Sequence, residues 1–238
     1  MNELATFTIL FIVTSHAQLG DTGDRTGIWL EEVTTPYYVL TDAGHQVVFA
    51  SPKGGQVPTD PRRLGDRSKV PSVDRYFNDS NLQAKLADAR PIDGLMARDF
   101  DAVFFPGGHG PMFDLADHPE VARLVYFFTQ RQKPVAAVCH GPAALLSARK
   151  PDGRWLFADK RLTGFSNEEE TAVELADAMP FLLETRLKEL GGDFSQADAP
   201  FAAHVVVDGL LITGQNPASA QGVAEALLRA LNQLNDNP

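Results

Sequence analysis

Cysteine is nearly absent: Cys139 stands alone among 238 residues. No disulfide can close within the chain, so a reducing compartment, the cytoplasm, is expected. Cations are also scarce, 21 Lys and Arg against 31 Asp and Glu, for a net charge of −10. That balance excludes the clustered Lys/Arg footprint of a nucleic-acid surface and opposes docking on anionic lipid. No nucleic-acid and no membrane partner is expected, and the charge is read as serving solubility. Long apolar runs are missing too. The apolar stretch at 5–14 follows Glu3 and no Lys or Arg, and is far too short to span a bilayer. A buried first strand is expected there.

What is present is ordinary globular material, 44% hydrophobic and 22% charged. Apolar β-rich runs alternate with helical patterns. Strands are predicted at 6–14, 45–51, 101–105, 134–138 and 161–165, and at 201–207 and 210–213 around an Asp208-Gly209 turn. Helices are predicted at 29–43, with Pro36 inside as a candidate true start, and at 82–89, 118–132, 141–148, 168–191 and 217–234. This alternation implies an α/β fold, a mostly parallel central sheet with helices on both faces. No repeat or linker divides the chain, so one domain over 1–238 is expected, with a loop insertion at about 52–80. Its 52–73 portion is rich in Pro, Gly, Asp and Arg, and loops of that length are usually lids or insertions.

The chemistry centres on Ala137-Val138-Cys139-His140-Gly141. An apolar strand enters and a run of small residues leaves, the layout of a nucleophile elbow with Cys in place of Ser. A sulfur there would sit at the C-terminal edge of the sheet. A helix N-terminus beside it would favour thiolate over thiol. The bland alternative is a small core residue. Phe105-Pro106-Gly107-Gly108-His109-Gly110 is a Gly-rich strand exit. Its N–H groups, with that of His140, could form an oxyanion hole. It has no Lys-Ser/Thr ending, so it is no phosphate cradle. Glu31, Glu32 and the run Glu168, Glu169, Glu170 open helical segments, where charge complementing the helix dipole is the plain reading. His16, His45, His109, His118, His140 and His204 are scattered, and Asp117, His118 and Glu120 fit no strong ligand spacing. No metal is expected.

With the segment Ala137-to-Pro142 the chain resembles the ThiJ/PfpI superfamily. Thr26-Gly27 with Glu32, the segment 101–113 (DAVFFPGGHGPMF), Leu162-Thr163-Gly164-Phe165 and 213–219 (TGQNPAS) agree in order over nearly the whole length. The early Glu and the extra loop look most like the heat-shock-protein-31-like subgroup of glutathione-independent glyoxalases and chaperones.

The resemblance implies a flavodoxin-like, class I glutamine-amidotransferase-like sandwich, a homodimer, no cofactor, and a small-molecule aldehyde as substrate. It implies Cys139 as nucleophile, His140 as proton-transfer partner, and Glu32 as a buried carboxyl facing the sulfur. Glu170 completes a Cys-His-acid triad, with Glu169 and then Glu168 behind it. Gly108, flanked by Gly107 and His109, contributes to the oxyanion site, and Asn216 receives no role. A carboxyl buried beside a thiolate should have its pKa raised and donate a hydrogen bond. The implied activity turns α-oxoaldehydes such as methylglyoxal into 2-hydroxy acids, with a possible deglycase role. A cysteine hydrolase (peptidase or amidase) is the nearest rival, although the late His-x-Glu of glutamine amidotransferases is replaced by His204-Val205-Val206. A stress holdase needs an apolar patch, which Arg62, Arg63, Asp66, Arg67 and Lys69 in the loop argue against. A redox sensor would oxidise Cys139.

Overall fold

In a computed structural model, residues 5–62 and 70–236 are described. Strands β1 (Thr8–Ile12), β2 (Gln46–Ser51), β3 (Arg90–Pro91), β4 (Ala102–Phe105), β5 (Val135–Val138), β8 (Val205–Asp208) and β9 (Leu211–Gly214) form one sheet, in the order β3-β2-β1-β4-β5-β9-β8. Every pairing is parallel except β8 with β9. All four residues of β4, β5 and β9 are buried, as continuous apolar runs covered on both faces must be. Neighbouring residues point to opposite faces. Leu10, Ile12, Val103 and Phe105 therefore join one core, and Ile9, Phe11, Phe104 and Val138 the other. The mostly parallel sheet expected from the alternation is present.

Helices α1 (Leu30–Asp42) and α8 (Ala220–Asp236) lie together on one face, and α5 (Pro119–Gln130) covers the other. Helix α1 starts well before Pro36. Its buried face, Leu30, Val33, Tyr37 and Leu40, has helical spacing across the proline, and burial of that stripe outweighs one lost backbone bond. Helix α2 (Pro71–Phe77) begins inside the expected loop and packs on α1, and α3 (Ser80–Ala87) is capped by the Asp79 carboxylate. Ahead of α2 the segment is pinned by bridges of Thr59 to Ile28 and of Gly55 to Ala89. Arg63, Asp66, Arg67 and Lys69 lie outside the described residues.

Four other expectations are corrected. The helix at 141–148 is a buried 3-10 turn, Gly141–Leu145, with Gly141 packed against the Phe105 carbonyl. The short α4 (Pro111–Asp114) packs on that turn. The helix at 168–191 is three pieces: α6 (Asn167–Ala172), a 3-10 turn (Ala176–Ala178) and α7 (Leu183–Glu189). Glu174 at φ 60° and then Pro180 break it. The strand at 161–165 shrinks to β6 (Arg161–Leu162), paired with β7 (Asp193–Phe194) outside the main sheet. The Thr163 and Phe165 N–H groups instead bond Thr213 Oγ1 and the Cys139 carbonyl. The strand at 201–207 narrows to β8. Among the described residues no helix is long and apolar enough to cross a membrane.

Candidate active site

Three parallel strands, β4, β5 and β9, end side by side, and the site lies beyond their C-terminal ends. Cys139 follows β5 with φ 60°, a left-handed conformation that costs an L-residue about 1–3 kcal/mol unless its surroundings hold it. They do. The Cys139 N–H donates to the Gly214 carbonyl at 2.9 Å, and its carbonyl accepts from Phe165 N–H at 2.9 Å. Gly141 touches the Phe105 carbonyl so closely that any Cβ there would collide. The elbow is thus built from both flanking strand ends.

The Cys139 Sγ lies 3.3 Å from His140 Nδ1, and His140 Nε2 lies 2.6 Å from Glu170 Oε2. Helix α6 supplies that carboxylate. Its capping box, Ser166 with Glu169, fixes the first turn. Glu169 points away from the histidines, accepting from Phe201 N–H and Asn216 Nδ2, each at 2.8 Å. Glu168 is exposed. Among the three acids, Glu170 is therefore the one at His140, and Glu169 ties Asn216 and the 201–202 segment to the site.

Glu170 also accepts from His109 Nε2 at 2.8 Å, so two histidines share one carboxylate. Burial alone would raise the Glu170 pKa, but His140 and His109 outweigh it and hold the carboxyl well below its ordinary range. His109 is pushed down to about 4, first by burial and then by the charges of His140 and Arg62. Atoms of His109, His140 and Glu170 lie within 4.8 Å of one another, close enough in number and type for a cation; here hydrogen bonds span that space.

On the other side of the sulfur, Glu32 is fully buried on α1. A Cβ on Gly107 would fall 2.5 Å from Glu32 Oε2 and 2.7 Å from Cys139 Cβ, so glycine alone lets carboxyl and thiol sit together. The carboxyl oxygens meet no partner at full hydrogen-bonding geometry, although the Cys139 thiol and the Gly107 N–H face them. Burial, foremost, raises the Glu32 pKa well above the usual carboxylate range. Burial and the neighbouring Glu32 likewise push the Cys139 thiol up, with the Gly108 N–H opposing. With burial raising both groups, the carboxyl and the thiol cannot both ionise in this pocket. The thiolate-favouring environment expected at the elbow is therefore corrected: a five-residue buried 3-10 turn comes after the cysteine, and desolvation dominates.

A cleft of 690 Å3 opens onto Cys139, Gly108 and His109 between Trp29, Phe165 and Phe201. Cys139, His140, Glu32, Glu170, Gly107, Gly108 and His109 are thus brought together. His109 meets them through its ring and Glu170, a side-chain contact that the glycine-rich motif does not reveal. His16 stacks on Phe113, His45 packs at a tilt against Phe7, and His204 bonds Ser195, all away from the cleft. Arg62, Asp60 and Thr26 have places at the site that sequence reasoning misses. Arg62 Nη2 reaches His109 Nδ1 at 3.0 Å, Asp60 holds Arg62, and Thr26 donates to Asp60. For Arg62 and Asp60 the sequence signal is the polar loop itself; Thr26 is marked by the Thr26-Gly27 segment, without a role.

A mostly parallel sheet with helices on both faces, and a cysteine elbow at its strand ends backed by histidine and carboxylate, defines an α/β protein. The chain belongs to the DJ-1/PfpI family, whose pattern matches residues 26–230. It is 30% identical over 222 residues to glutathione-independent glyoxalase hsp3101 of Schizosaccharomyces pombe, covering 89% of this chain and 90% of that protein. Among solved structures, the Francisella tularensis rapid encystment protein REP24 superposes with a TM-score of 0.90 at 34% identity, covering 95% and 99% of the two chains. Glyoxalase III of Candida albicans superposes at 0.86 with 25% identity, covering 94% and 97%.

Proposed function

We propose that this protein is a glutathione-independent glyoxalase that converts α-oxoaldehydes such as methylglyoxal to 2-hydroxy acids. The observation that carries the reading is the Cys139–His140–Glu170 array beside the buried Glu32 carboxyl, opening on the cleft. It is supported by the family and by relatives that carry the name glyoxalase. Cys139 attacks the aldehyde carbon, and its proton passes to His140 Nδ1, held in place by Glu170. The N–H groups of Gly108 and His140 face the oxygen of the resulting hemithioacetal. The C1 proton then moves to C2 through an enediol, carried by Glu32 or His140, the two proton-active groups flanking the sulfur. Water cleaves the thioester, so methylglyoxal and water give lactate and the free thiol.

Every step uses groups of this chain, and the reading includes no cofactor and no metal. One domain, with residues 52–80 as an insertion, acts as a homodimer in the cytoplasm. The net charge of −10 speaks against a nucleic-acid partner. The deciding experiment is lactate formation from methylglyoxal without glutathione or added metal, for wild type and Cys139→Ala. Lactate from wild type alone supports the reading; full activity in Cys139→Ala, or none in either protein, overturns it.

A further inference from the structure

Glu170 serves two histidines whose ring centroids are only 4.2 Å apart. A second positive charge at that distance is disfavoured, so one ring must take the proton that leaves Cys139 and the other must stay neutral. Arg62 distinguishes them. Its Nη2 lies 3.0 Å from His109 Nδ1. A guanidinium only donates, so Nδ1 accepts, and the single proton of neutral His109 sits on Nε2, aimed at Glu170 Oε1. His140 is placed the other way round, with Nε2 on Glu170 and Nδ1 toward the sulfur.

Arg62 is itself held. Its Nε and Nη2 donate to the Asp60 carboxylate at 2.8 and 2.5 Å, and its backbone N–H donates to Asp60 at 2.9 Å. The Asp60 side chain is fully buried and also accepts from Thr26 Oγ1 at 2.9 Å. The guanidinium is therefore aimed by a buried carboxylate.

We propose that Arg62 is a positioning residue that locks His109 in its neutral Nε2–H form, so that the proton leaving Cys139 goes to His140. The assignment rests on the reading of Cys139 as nucleophile. The charged and titratable groups around His109 are Glu170 on α6, His140 and Cys139 after β5, Glu31 and Glu32 on α1, and Arg62 with Asp60; Asp24 acts on Arg62 from outside. Arg62 and burial both disfavour a second proton on His109, and Glu170 alone favours one. With Arg62 removed, Glu170 can draw a proton onto His109, and the charge it lends to His140 is shared.

The test combines histidine 15N NMR, the pH profile of Cys139 alkylation by iodoacetamide, and methylglyoxal turnover, on wild type, Arg62→Ala and Arg62→Lys. In wild type, His109 is expected to remain the Nε2–H form from pH 8 down to 5. In Arg62→Ala its protonation should move up by about one pH unit, so Cys139 alkylation should slow about twofold at pH 5 and overlay wild type at pH 7. At pH 5 the kcat should fall about twofold with KM nearly unchanged, the pattern of a group acting after binding. Arg62→Lys keeps a donor and a charge, and should restore the alkylation profile. Two results overturn the proposal: an Nδ1–H form in wild type, or a His109 titration and alkylation profile in Arg62→Ala that overlay wild type. If Arg62→Ala fails to fold, the wild-type tautomer and the Arg62→Lys profile decide. Alkylation and NMR need no substrate, so a wild type inert to methylglyoxal sinks the glyoxalase reading and leaves this one standing or falling by itself.

Discussion

Cys139 has a glutamate on either side, and the two corners of the site treat the same side chain in opposite ways. Glu32 lies against Gly107 and the thiol, and burial raises its pKa. Glu170 is nearly as buried but receives two imidazole N–H groups, and its pKa is lowered. Desolvation acts on both; at Glu170 the charge of His140, with the two imidazole hydrogen bonds, decides the sign. Pairs of carboxyls driven apart in this way are how one site holds an acid and a base at the same pH. The neutral corner lies next to the sulfur, and the charged corner is set behind His140.

The comparison can be broken at several points. Cys139→Ala removes the atom both corners serve. Lactate formation from methylglyoxal should fall by at least about a thousandfold, with far-UV circular dichroism unchanged. Glu170→Gln keeps the shape but turns an amide donor toward one of two N–H groups. The kcat should fall by about 10^2 to 10^4, and the Tm should drop. At the neutral corner the sign reverses. The unfolded chain ionises Glu32 above its ordinary value of 4.5 while the fold keeps it protonated, so stability falls as pH rises through that window. Glu32→Gln should therefore raise the Tm at pH 7 by about 3 °C while lowering kcat. Unchanged Cys139 titration in both Glu32→Gln and Glu32→Asp would remove the proposed link between carboxyl and sulfur.

His109 titrates at about 4 in the fold against an ordinary 6.5. Between those values the unfolded chain binds a proton that the fold refuses, so stability falls as pH drops through this range. Denaturant unfolding at several pH values should show that slope, flattened in His109→Asn. The smallest effect belongs to Glu168→Gln. The side chain is exposed, and stability should stay within about 0.5 kcal/mol of wild type, with turnover unaltered. A large loss there would mean that the wrong acid has been placed in the array.

Much of this is legible in the residues. The central strands are continuous apolar runs, and the small residues flanking Cys139 announce a sharp turn. Local patterns reach only as far as one element. The choice among Glu168, Glu169 and Glu170 depends on which way a one-and-a-half-turn helix faces, and the motif anchor rather than periodicity favours Glu170. The break at Glu174 is hidden because acidic and apolar residues continue at helical spacing through it. Arg62 lies in a polar stretch with no pattern of its own; its partner Asp60 is two residues away, but His109, and Thr26 that holds Asp60, come from distant segments. The ionisation of Cys139 is misread from sequence because neighbours along the chain do not report how deeply a thiol is buried.

The two ends of the main sheet carry a further consequence. On one side β3 is only two residues long and finishes in Pro91, which has no N–H to offer. On the other, β8 runs antiparallel and its last residue, Asp208, binds Lys160 and Arg161. Short, proline-ended and charge-tethered borders are poor templates for a foreign strand. Such borders give other chains, folded or unfolded, little backbone to zip onto.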